Sequence, residues 1–172
     1  MAYLVRKVSR AKWPDDMCNP DDIPGDAISE LRTTKNTLSL WRIDDESELE
    51  SAALALAASS STSKIEQVSV VWIPEELFAK NGIQLDDSSP GDTVVFDLAN
   101  THRDLCNVTY STLGDVAQII MNAIVKEGHY RRFKKSEIKD ALVKAYTEER
   151  IKEEKCQKEL IEEIKKKSIT GI

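Results

Sequence analysis

The sequence predicts an α/β protein: about four strands in a central sheet, helices packed on it, and a long charged C-terminal helix. Three observations carry that expectation. Lys64 to Pro74 (KIEQVSVVWIP) places Val68, Val70, Val71, Trp72 and Ile73 in one run with no charge after Glu66, as in a strand buried on both faces. Around it, segments with a period of two alternate with segments of helical period. Beyond Tyr146, charges dominate and opposite signs recur four residues apart, from Arg150–Glu154 to Glu162–Lys166.

Taken in order, Tyr3 to Val8 alternates roughly and predicts an edge strand. Residues 14–25 hold Pro14, Pro20, Pro24, Gly25 and four aspartates, which predicts an acidic loop. Asp26 to Arg32 predicts a short helix, with Ile28 and Leu31 three apart. Leu38 to Ile43 alternates and predicts a second strand. A helix follows, with Asp45 or Ser47 as cap and Leu49, Ala52, Ala53, Leu56 and Ala57 on one face. The serine run Ser59 to Ser63 links it to the Lys64–Pro74 strand, which Pro74 ends.

Pro74 then opens the helix PEELFAKNG, with acids in its first turn and Asn81-Gly82 at its end. Thr93 to Leu98 predicts the fourth strand. Thr112 to Glu127 predicts a long helix, enclosed on more than one side and stopped by Gly128. His129 to Lys135 reads as a basic junction, and Ser136 as the cap of a helix carrying Ile138, Ala141, Leu142 and Ala145. Residues 1–128 thus form an α/β body. Residues 129–172 form a basic junction and a helical extension packing partly on it.

Composition narrows the function classes. Hydrophobic residues make up 41% of the 172-residue chain and charged residues 31%, enough apolar content for a core and against disorder. No apolar run reaches the ~18 residues of a membrane span. The N-terminal apolar stretch is too short for a signal-peptide core, so a cytoplasmic location is expected. Cys18, Cys106 and Cys156 are an odd, widely spaced set and read as reduced thiols. Residues 1–125 hold 10 basic and 20 acidic side chains, residues 126–172 hold 14 and 10: an acidic body with a basic tail.

Glycine-rich phosphate loops and a GxSxG elbow are absent. His102-Arg103-Asp104-Leu105 repeats the first letters of a kinase catalytic loop, but position 109 is threonine where that loop needs asparagine, and no other kinase motif is present. Asp97, His102 and Asp104 remain as a candidate catalytic group in a post-strand loop, with a histidine base and orienting carboxylates. The plainer alternative is a solvated loop. Two histidines exclude a histidine-rich metal centre, and no cofactor is expected.

Tyr130, Arg131, Arg132, Phe133, Lys134 and Lys135 form the strongest binding signal. Cations with aromatics suit nucleic acid, but a pI near 5.1 opposes generic binding to it. An acidic protein face, even that of a second copy, suits the same cluster. Cys156, Leu160 and Ile164 make a thin stripe on the tail helix that needs a cover, by self-association or by docking on a partner. The leading expectation is a non-enzymatic, protein-binding accessory subunit or oligomer, meeting its partner through the C-terminal helix and the basic junction. A small enzyme and a nucleic-acid accessory protein are the alternatives.

Overall fold

The computed structural model describes residues 1–13, 22–31, 33–87 and 89–170. The stretch 14–21, with Cys18 and most of the expected acidic loop, lies outside the described residues. The class is α/β as predicted, but the sheet has six strands instead of four. They are β1 (Tyr3–Lys7), β2 (Leu38–Ile43), β3 (Val68–Pro74), β4 (Gln84–Asp86), β5 (His102–Cys106) and β6 (Tyr130–Phe133), in the order β4-β5-β2-β1-β3-β6. Every neighbouring pair is antiparallel, so direction alternates across the whole sheet.

Three of the four expected strands form, but β1, expected at an edge, lies inside the sheet between β2 and β3 because its backbone pairs on both sides. The fourth, Thr93 to Leu98, does not form. Its valines are fully buried without joining the sheet. Val94 N–H donates to the Ala58 carbonyl (2.7 Å), Val95 makes a single bridge to Ile151, and Phe96–Thr101 winds into a 3₁₀ helix. Three strands form instead where turn-forming and charged residues argued against them: the short edge strand β4 (Gln84–Asp86), β5 and β6. β5 holds His102 and Asp104 toward one face and Leu105, wholly buried, toward the other. β6 is the basic junction itself, paired along β3 from Val68↔Phe133 to Val71↔Tyr130.

Helices cover both faces. Val5, Trp41, Ile43, Val68, Val70, Trp72 and Phe133 pack against α2 (Leu49–Ala57), α5 (Lys135–Thr147) and α6 (Lys158–Thr170). Leu4, Leu38, Leu40, Val71, Ile73 and Leu105 pack against α1 (Gly25–Glu30), α3 (Glu75–Lys80) and α4 (Tyr110–Val125). β3 therefore buries both its faces, as its unbroken apolar run requires. Arg6 sits half-buried on the second face, its guanidinium donating to the Ser39 and Glu30 carbonyls; burial lowers its pKa to about 10. Asp45 caps the 3₁₀ turn before α2 by accepting from Ser47 N–H (2.8 Å). Gly128, at φ 67°, ends the α4 region as expected.

The charged C-terminal helix forms as α6, but it is short, set apart from α5 and packed back on the core. α5 stops at Thr147. Glu149 adopts φ 59°, and the Arg150 N–H turns back to the Ala145 carbonyl (2.9 Å). Ile151 then bridges to Val95, and a 3₁₀ turn (Glu153–Lys155) leads into α6. The expected four-residue charge ladder is therefore interrupted at its start. Leu160 and Ile164 have no exposed surface, and they share one core with Val5, Trp72, Ile138 and Leu142. Residues 129–172 thus give a strand and two helices to the core begun by residues 1–128. The cap of α5 is also shifted: Lys134 holds the cap position, and the Glu137 carboxylate accepts its N–H (2.7 Å).

Candidate functional site

The three residues of the candidate catalytic group do not converge. Asp97, in the 3₁₀ turn, is engaged by Arg150, whose Nε and Nη2 donate to its Oδ2 at 3.0 and 2.6 Å. That bond raises the Arg150 pKa, with Glu148 adding to it. Asp97 thereby ties the 3₁₀ turn to the α5–α6 connection. His102 and Asp104 do share a face of β5, opposite Trp41 and Ser39 of β2. The His102 Nδ1 meets the Ser89 carbonyl at 2.9 Å, and since a carbonyl only accepts, Nδ1 carries the proton. Nε2 then faces Asp104 Oδ1 at 3.7 Å, beyond hydrogen-bond reach, while Ser39 Oγ donates to that same oxygen at 2.9 Å.

The 89–93 segment covers this place. Gly91 lies so close that a Cβ there would collide with the Trp41 ring and the His102 Cβ. His102 is 8% exposed and stands edge-on to Trp41, their centroids 5.5 Å apart. These contacts make His102 a packing and loop-pinning residue. Among the described residues no group of His, Cys, Asp and Glu is arranged to hold a metal ion. The Cys106 thiol is pushed up by burial and then by Asp86 and Asp104, and the Cys156 thiol by burial and then by Glu153 and Glu154. Neither is poised as a nucleophile.

The basic cluster is brought together, but on a strand and not in a loop. β6 is the last strand of the sheet, so its side chains alternate between faces. Tyr130 and Arg132 project to the α4 face, Arg131 and Phe133 to the α5 face. Phe133 is 1% exposed and Tyr130 is half-buried, its hydroxyl 3.0 Å from Ser69 Oγ. Neither ring is free to stack on a base. Arg131 lies over the Phe133 ring at 4.2 Å and pairs with Glu137 at 3.2 Å. Arg132 bonds Gln67, and Lys135 pairs with Glu163 at 3.4 Å. Lys134 is exposed at the strand's end. The cations thus straddle a strand edge, without forming a patch on one face.

Sequence patterning missed what the backbone does at this edge. Trp72 N–H donates to the His129 carbonyl (3.3 Å) and Val8 N–H to the Ser69 carbonyl (2.9 Å). Directly opposed residues of an antiparallel ladder bond at every second position. In the β3–β6 register, positions 129, 131 and 133 therefore face β3, while Tyr130 and Arg132 direct their peptide groups out of the sheet. Tyr130 N–H is taken by the Gly128 carbonyl at 2.8 Å. The Tyr130 carbonyl and both peptide groups of Arg132 are the outward set.

The stripe Cys156, Leu160 and Ile164 resolves differently. Leu160 and Ile164 are the buried side of α6, and Cys156 is half-buried beside them. Their cover is this chain's own α5 and sheet. No helix among the described residues is long and apolar enough to cross a membrane. No family model, curated protein or solved structure matches the chain.

Proposed function

We propose that this chain is a non-enzymatic, protein-binding accessory subunit that takes up its partner by strand addition at β6. The observation that supports this is the outward peptide groups of Tyr130 and Arg132, set among Arg131, Arg132, Lys134 and Lys135 on a chain of net charge −6. An added strand gains main-chain hydrogen bonds there, and acidic side chains on it meet the cations. The contact expected of the C-terminal helix passes to this edge, because the apolar side of α6 is consumed within the core.

The test uses a substitution that removes one outward N–H together with the Arg132 guanidinium. In Arg132→Pro the lost N–H faces away from β3, so the β3–β6 ladder keeps its bonds. Wild type, Arg132→Pro and Lys144→Glu, a charge change on exposed α5, are compared as bait, and the bound partner is titrated against each. Binding should fall at least tenfold with Arg132→Pro and little with Lys144→Glu. Equal binding by Arg132→Pro and wild type refutes strand addition at β6.

A further inference from the structure

We infer that the strand received by β6 is β4 of a second copy of this chain, so that copies join head to tail and continue the sheet, resting on the strand-addition reading of β6. Strand direction is the first ground. Six strands alternate without exception, so β4 and β6 run in opposite senses. A copy displaced sideways in the same orientation brings its β4 antiparallel to β6. An odd number of strands would have made that meeting parallel.

The pleat agrees. The Val8–Ser69 bond sets which residues of β1 face β3, and the continuous registers carry the alternation to the other edge. Leu105 and Arg103 face β2, Asp104 and Cys106 face β4, and Gln84 and Asp86 face β5. Leu85 is left with its N–H and carbonyl directed outward. Its side chain lies with Leu105 on the α4 face, the same face as Tyr130 and Arg132. Outward groups at both edges therefore belong to residues of one face, as two strands must share to bond directly.

Charge sets the register. Asp86 and Asp87 are exposed at the β4 edge, and Arg131 and Arg132 of β6, with Lys134 just past its end, are exposed at the other. Placing Leu85 opposite Arg132 puts Asp86 opposite Arg131 on the α5 face. On the α4 face Leu85 then lies against the aliphatic stem of Arg132, and Asp87 opposes Tyr130. Shallow grooves beside Leu85, lined by Ala79, Gly82 and Ile83 and by Met1 and Ala2, leave room for that stem. Strands of three and four residues make a small contact, so association is weak, rises with concentration and falls with salt. Because the surfaces in contact differ, nothing closes the assembly after two copies.

Sedimentation velocity on the full chain over rising concentration tests this. At low salt the weight-average mass should climb beyond the monomer, and high salt should reverse it. Leu85→Pro and Arg132→Pro should each remain monomeric, since each removes one outward N–H. Their equal mixture should give a species of twice the monomer mass and nothing larger, because each keeps the edge the other lacks. A wild type that stays monomeric throughout overturns the inference. So does self-association that survives Leu85→Pro, which would mean that β6 meets β6. If circular dichroism shows either proline variant unfolded, Asp86→Arg and Arg131→Glu replace them. Each should dissociate alone and recombine when mixed, and failure to recombine overturns the inference. A monomeric wild type whose titrated partner is still lost with Arg132→Pro leaves strand addition at β6 standing.

Discussion

β6 and α6 look alike as sequence and behave as opposites in the fold. Both are rich in lysine, arginine or glutamate, with a few apolar residues at regular spacing. α6 satisfies its own backbone and buries its stripe, Leu160 and Ile164, so its charges are left to pair locally: Lys165 with Glu153, Lys167 with Asp140, Glu163 with Lys135 and Lys139. β6 buries Phe133 but has a strand neighbour on one side only, so its outer peptide groups are not paired within the sheet. The direction of the β6 peptide groups is set by pairing with β3, and the charge run alone does not reveal it.

The largest expected effect falls on the α6 side. Leu160→Ala should cost about 2–5 kcal/mol in denaturant unfolding, with Ile164→Ala similar, because both side chains are wholly enclosed. A loss under about 0.5 kcal/mol would mean that the stripe is not core. Next comes Gly91→Ala, whose Cβ would strike Trp41 and His102. It should cost about 1–3 kcal/mol as an overpacked site and loosen the Ser89–His102 contact, visible as faster amide exchange across 89–93.

Acid should loosen α6 before it touches the β3–β6 ladder. Burial pushes the Glu163 carboxyl up, but the Ile65 N–H and then Lys135 and Lys139 outweigh it and hold it below its ordinary 4.5. A depressed carboxylate contributes stability above its unfolded pKa and loses it as pH falls through the folded one. Wild type should therefore lose more stability than Glu163→Gln between pH 5 and the folded pKa, and parallel pH profiles would refute the pairing. The Asp97–Arg150 pair, more than a quarter exposed on each side, should couple by only about 0.2–1 kcal/mol in a double-mutant cycle. Last comes Arg132→Pro, which spares the β3–β6 ladder but gives up the exposed Gln67 bond and constrains φ at 132; it should still melt in one cooperative transition, losing less stability than Leu160→Ala.

Where local signal was strong, the sequence was legible. Val68 to Ile73 announced a strand buried on both faces. Pro74, Glu75 and Glu76 announced a helix start, and the four-residue spacing from Val116 to Ile124 a long buried helix. β5 was not legible, because His102, Arg103 and Asp104 carry the composition of a loop; what makes them a strand is pairing with Leu38 to Trp41, more than sixty residues away. Thr93 to Phe96 failed the other way: Val94 and Val95 look like a strand, but Ala58 and Ile151 bury them from outside the sheet. Of the candidate site, the residues of the basic cluster were visible, and the direction of their peptide groups was not.

Periodicity and chain-terminus chemistry thus determined by themselves the α/β class, a strand buried on both faces and most of the helices, since each depends on contacts within a few residues. The tertiary structure alone decided β4, β5 and β6, the turn at Glu149 that folds α6 back, and which strands end the sheet. Those outcomes depend on which distant segment supplies hydrogen bonds and apolar cover, and a linear pattern does not carry that information.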